Sequence, residues 1–333
     1  MRRSASTLLA AALSIISLTV GAGSAEATPV VSQCEAVRSA WPIESTAVDA
    51  IEGCAGIDGV LIRDAESNIT VALPPEGIAV TYSALSDTPG IDIPEFTVAR
   101  SRNGEIATAS VTPNRRVVEG SMTTARAFGL TSDATADSAV QATNPKCDSF
   151  AYSISNERWL STASWYYRAP SFGGQVRVAA AFSAMADGIG DCGTNTPNSA
   201  AHSYAGSTTS SSQVNDSICG PSDLKNVVDG GDLSGTTLAA TCTWRTTGQI
   251  VNADIRIDTS SRSWYTGSST TGCSGSSTYD LQGVMTHEAG HFFGLNHVAQ
   301  STNQVMVPSS FACQTSHRRL GDGDLAGMKA RYP

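Results

Sequence analysis

Nowhere in the 333 residues is there a stretch of positive charge long enough to neutralise a run of phosphates, and the formal net charge is −9. Nucleic acid is therefore excluded as the expected partner. Charged residues are sparse at 15% and aromatics at 6%, but 41% of the chain is hydrophobic, which suits folded domains and rules out a disordered polymer. At roughly 150 residues per domain the length allows about two. No C-x-x-C pair occurs among the eight cysteines, which argues against a thiolate zinc site or a redox motif. The apolar run Leu8–Val20 has 13 residues, about 20 Å of helix against a hydrocarbon core of about 30 Å, and no later stretch reaches spanning length. Histidine is scarce too: there are five, and none lies between Thr28 and Pro145.

What is present at the N-terminus reads as an export signal. Arg2 and Arg3 precede the apolar run, and Ala25-Glu26-Ala27 offers small residues where a signal peptidase cuts, so residues 1–27 are expected to be removed and the protein secreted. All eight cysteines lie beyond that point, an even number in an exported chain, and disulfides are the expectation. Cys34 and Cys54, 20 residues apart, most simply pair with each other. Residues 28–145 carry 15 acidic against 7 basic side chains, whereas 146–333 carry 14 against 12, so the acidity belongs to the first segment. Residues 131–145 are small and polar without apolar periodicity, the composition of an exposed linker.

Short β-like runs occur at 59–63, 69–73 and 96–100, and the first segment is expected to form a small β-containing unit. Beyond the linker, 165–168 reads as a strand and 175–186 as a helix stopped by Gly188. Alternation over 238–244 and 251–257 predicts two half-buried strands. A Ser/Thr/Gly-rich loop over 259–278 leads to Asp280, a cap for a helix with Leu281, Val284, Met285 and Phe292 on its apolar stripe. The fold class is α+β.

That helix contains His287-Glu288-Ala-Gly-His291, then Phe-Phe-Gly294-Leu-Asn-His297. Four-residue spacing sends the imidazoles of His287 and His291 from one helical face to a single zinc ion, about 2.1 Å from each. A continued helix would carry His297 about 9 Å further along the axis, so the helix must break, and Gly294 is the residue suited to a left-handed stop. Three histidines leave a fourth position open, as in catalytic zinc sites. Glu288, beside the ligand face, is placed to act as general base towards a water activated by the ion. A chance occurrence of the eleven-residue pattern is expected on the order of 10⁻⁶ times in a chain of this composition.

The pattern H-E-x-x-H-x-x-G-x-x-H, followed by Met306 in Val305-Met306-Val307-Pro308, resembles the metzincin zinc peptidases. Gly294-Leu-Asn-His297, the Met306-x-Pro308 turn and the closing stretch Leu320–Tyr332 are most similar to the matrixin-type family, over about residues 147–333 and strongly from 281 onward. Residues 250–257 followed by Trp264 resemble the matrixin edge strand beside the substrate cleft. No P-R-C-G-x-P-D thiol switch and no hemopexin-like domain accompany the match. Met306 is expected to pack beneath the metal site without ligating it. His202 and His317 lack partnering spacing and are expected to be solvated or hydrogen-bonded surface residues. Acidic turns at 187–191, 229–232 and 322–324 keep Ca²⁺ as a second candidate cation, as the resemblance implies. None has EF-hand spacing, which favours solvated loops.

The sequence thus leads to a signal peptide (1–27), a pro-segment ending in a linker (28–145) and a metzincin catalytic domain (146–333). It is expected to be a monomeric, secreted zinc endopeptidase made as a zymogen and acting on protein or peptide substrates, with no membrane contact after signal cleavage. The expected site is His287, His291 and His297 as metal ligands and Glu288 as base. With Cys34 and Cys54 paired, an Asp or Glu of the pro-segment is expected at the open metal position, or else the segment lies across the cleft, and a cut within 131–145 is expected to release it. The alternative is an extracellular adhesion protein with an inactive metzincin domain.

Overall fold

The computed structural model describes Cys34, residues 42–131 and residues 144–333. The export signal and residues 132–143 of the linker lie outside the described residues.

The N-terminal part contributes strands β1 (Ile43–Glu44), β2 (Leu61–Arg63), β3 (Thr70–Ala72), β4 (Ile78–Ser86), β5 (Glu95–Arg100), β6 (Ile106–Thr112) and β7 (Arg115–Gly120), then a short helix α1 (Met122–Ala127). The chain resumes with α2 (Pro145–Asp148), β8 (Ser153–Ile154), β9 (Ala163–Arg168), α3 (Gln175–Ala186) and β10 (His202–Ser207). Then follow β11 (Val214–Asn215), β12 (Ile218–Cys219), β13 (Val227–Gly231), β14 (Thr237–Thr246), β15 (Gln249–Asp258), β16 (Ser263–Tyr265) and β17 (Thr278–Asp280). The last elements are α4 (Leu281–Phe292), β18 (Leu295–Asn296) and α5 (Asp322–Arg331).

The expected helices at 175–186 and after Asp280 form, and the Asp280 carboxylate caps α4 by accepting from Gly283 N at 2.7 Å. The α+β class holds. The two strands expected to be half-buried, β14 and β15, are instead buried on both faces along most of their length. Their alternation is real, but the outward face is covered by further structure.

One sheet of nine strands, in the order β10-β9-β13-β15-β14-β4-β5-β6-β7, runs through both parts of the chain. From β10 to β15 the pairs are parallel; from β15 to β7 they are antiparallel. The join is β4 on β14, in register from Ala79 opposite Arg245 to Ser86 opposite Thr237. A smaller sheet, β1-β2-β3-β12-β11, crosses the same divide where β3 pairs in parallel with β12.

Two cores explain why these layers hold. Helices α3 and α4 pack on the parallel half through Phe182, Met185, Met285, Ala289 and Phe292, beside Trp165, Ile255 and Ile257. A second core mixes Ile62, Val71, Val80, Phe96 and Val98 with Val214, Leu233, Ala240 and Trp244. The first core comes wholly from residues after 144, whereas the second is shared between the two parts. The four disulfides are Cys34–Cys54, Cys147–Cys192, Cys219–Cys242 and Cys273–Cys313, and none joins residues before 131 to residues after 144.

Candidate metal centre

Helix α4 delivers His287 and His291 from one face, and Gly294 stops it with φ 91°, a left-handed conformation that suits glycine. A side chain there would also meet Ser155 Oγ at 2.8 Å. Trp159 Nε1 donates to the carbonyl of Phe292 and the Tyr332 hydroxyl to that of Phe293, satisfying the last turn. The chain then reverses through β18, paired with β8, and brings in His297.

The three Nε2 atoms converge at 3.0, 3.1 and 3.2 Å from one another. His287 Nδ1 lies 2.7 Å from Val305 O and His291 Nδ1 2.9 Å from Leu295 O, so each Nδ1 carries the proton and each Nε2 turns a bare lone pair inward. Burial lowers the pKa of all three, that of His287 to about 4, which keeps them neutral. Lone pairs so placed repel unless a cation lies between them. Nitrogens about 2.1 Å from a tetrahedral ion would stand about 3.4 Å apart, close to what is seen, so the donor set fits zinc. Among the described residues it is the one such cluster, and no carboxylate joins it. The expected Asp or Glu of the pro-segment at the metal position is therefore not what the described residues show.

Glu288 is fully buried, and its Oε2 accepts from the Thr241 hydroxyl at 2.6 Å while Oε1 has no hydrogen-bond partner among the described residues. Burial raises its pKa to about 8, opposed by the Thr241 hydrogen bond. Met306 packs beneath the site, and a Cβ on Gly290 would stand 2.2 Å from its sulfur. The turn is fixed by Asp324, which accepts from Val305 N at 2.8 Å, Met306 N at 3.2 Å and Gly321 N at 2.9 Å. The carboxylate thus holds the carbonyl that orients His287.

Two sequence expectations need correction. The strand beside the histidines is β14, which carries Thr241; residues 250–257 lie one strand further in, between β13 and β14. His317 is buried at 1% exposure and bonded to Gln314, not a surface residue. His202, half-buried, accepts from Trp165 Nε1 at 3.3 Å, and neither of the two joins the cluster. Thr241, Glu95 and Asp324 as a turn anchor escaped the sequence reading, because each is one polar residue whose partner lies far away in the chain.

The cleft edge of β14 is occupied by β4. Beyond it, Ser86 N donates to Pro308 O and Ser310 N to Ser86 O, both at 2.9 Å, so the strand is gripped from both sides. Leu85, fully buried, sits in an apolar cluster with Leu238, Ala239, Tyr279 and Val284. From β5, Glu95 Oε1 accepts from His297 N at 2.9 Å.

Residues 223–333 match the family model described as matrixin. The last third of the chain is thus similar to matrixins. No characterised protein and no solved structure matched the chain. The matched region begins just before β13 and contains α4, all three histidines, the Met306 turn and α5; β9, α3 and the N-terminal strands lie outside it. Among the described residues no helix is long and apolar enough to cross a membrane.

Proposed function

We propose that this protein is a secreted zinc endopeptidase held latent by its own residues 42–131. The observation that carries the reading is that three neutral imidazoles and a carboxylate meet beside a strand edge already filled by a strand from the same chain. An exposed edge such as β14 captures an extended peptide through main-chain hydrogen bonds. Here β4 takes that place, antiparallel to β14 and parallel to the wall at Ser309, with Leu85 filling the apolar pocket.

Bound zinc would supply Lewis acidity and lower the pKa of a water in the open position. This chain's residues do the rest. Glu288 takes the proton from the attacking water and passes it to the leaving nitrogen. Thr241 orients that carboxylate, and Asp324 holds the turn that positions His287. The raised pKa of Glu288 belongs to the covered state. Water returning to the cleft when β4 leaves would favour its charged, basic form. The even set of paired cysteines supports an oxidising compartment.

The test is hydrolysis of casein and of an extended apolar peptide by the zinc-loaded chain, before and after residues 42–131 are degraded. Chelator-sensitive hydrolysis is expected only afterwards. A zinc-loaded domain that cleaves nothing after the segment has gone would overturn the reading and leave a binding protein.

A further inference from the structure

We infer that Glu95 is a positioning residue for the third metal ligand, so that in the uncut chain residues 42–131 brace the metal centre as well as covering it; this rests on the three histidines being the zinc ligands. The three ligands are not braced alike. His287 and His291 sit on a rigid helix, and each has its Nδ1 fixed by a carbonyl from residues after 144, Val305 and Leu295. His297 follows directly on β18, with the next residue's N–H donating to Met306 O, and among the described residues its buried Nδ1 has no hydrogen-bond partner. Its own backbone N–H donates to Glu95 Oε1 at 2.9 Å. The same carboxylate oxygen lies 3.6 Å from His291 Nδ1 and 3.9 Å from His297 Nδ1.

Glu95 is 5% exposed and comes from the first residue of β5, in the part of the chain that the matrixin match does not reach. A buried carboxylate there is costly unless it is used, since desolvation penalises its charge. Arg245 and Arg116 bear on it electrostatically, but the hydrogen bond it accepts comes from the ligand's own backbone. The carboxylate stands behind the imidazoles, on their Nδ1 side, and leaves the converging Nε2 atoms free. Groups in that outer position set ligand orientation and affinity.

The experiment compares zinc affinity by chelator competition, and amide exchange at His297, in the uncut full chain and in E95A, E95Q and V98A. Val98 lies on the same strand, fully buried, and touches no ligand, so V98A reports a loosened interface alone. E95A is expected to weaken zinc binding about tenfold or more and to speed exchange at His297. E95Q keeps an acceptor oxygen and should fall nearer the parent. Equal weakening in E95A and V98A, or no change in E95A, would overturn the inference. Should E95A fail to fold, E95L, which fills the space but cannot accept from His297 N, is compared with V98A: zinc binding weakened no more in E95L than in V98A, with exchange at His297 also unchanged, would overturn it. H297A separates the two readings, because zinc bound undiminished in that variant would sink the three-histidine site itself.

Discussion

Ser86 and Ser309 form a parallel bridge across the cleft, at the end of a strand that pairs antiparallel with β14 along its other edge. A single strand from the N-terminal part is thus hydrogen-bonded to both walls beside the metal centre. On the proposed reading, latency is a matter of strand pairing and apolar burial and requires no thiolate.

A cut within residues 132–143 is accordingly expected to leave the two parts together. No disulfide joins them, but they share the nine-stranded sheet and a mixed core, and such an interface resembles the interior of a domain. Size-exclusion chromatography of the nicked chain should show one inactive species, with activity appearing only as the segment is digested. A thiol-modifying mercurial should not activate the intact chain, since the described cysteines are all paired. Immediate activity on nicking would show that the linker alone maintains latency.

Leu85→Ala should loosen the strand from its pocket. Truncating a buried leucine costs about 2–5 kcal/mol, and here the loss falls on the contact between strand and cleft. Peptide hydrolysis by the uncut variant should rise well above that of the parent, with earlier proteolysis near residues 78–86. Unchanged latency together with a lowered Tm would place Leu85 in the fold but not in the restraint.

Glu288→Ala, made in a chain freed of residues 42–131, should cut hydrolysis by about 10²–10⁴-fold while zinc stays near one per chain, because a base is lost and no ligand. Metal analysis beside the rate assay checks this. Zinc lost in step with activity would contradict the assignment.

Acid should destabilise the chain through its buried histidines. Burial lowers the pKa of His287 to about 4 and of His317 to about 3, below the ordinary 6.5. The unfolded chain therefore binds more protons between those values, and the stability present above about pH 6.5 is lost as pH falls towards 4 and then 3. The histidine contribution is read as a difference: the Tm advantage of the metal-free parent over His317→Gln at pH 7 should shrink towards pH 4.5, because the buried carboxylates Glu95, Asp254 and Glu288, whose pKa values burial raises, act in the opposite sense and are common to both. Zinc should dissociate over the same range, as its ligands must be neutral. A Tm advantage unchanged across that interval would mean that His317 is not buried in solution.

Much of the centre was legible in the sequence because its information is local. Spacing of four on a helix aligns His287 with His291, Gly294 is where a left-handed stop is possible, and Asp280 caps the helix that carries both. The pairing of Cys34 with Cys54 was equally local. Tertiary structure alone decided what depends on distant pairs. The alternation in β14 and β15 revealed one buried face of each strand, but the second face is buried by partners that no periodicity names. The edge of β14 is closed by residues more than 150 positions earlier. Thr241 meets Glu288, and Glu95 meets His297, across 47 and 202 residues, so neither polar side chain left a pattern in its own neighbourhood. Sequence spacing fixes which groups one helix can present together; which strand lies over them is settled by backbone hydrogen bonding and shared burial between parts of the chain that carry no common motif.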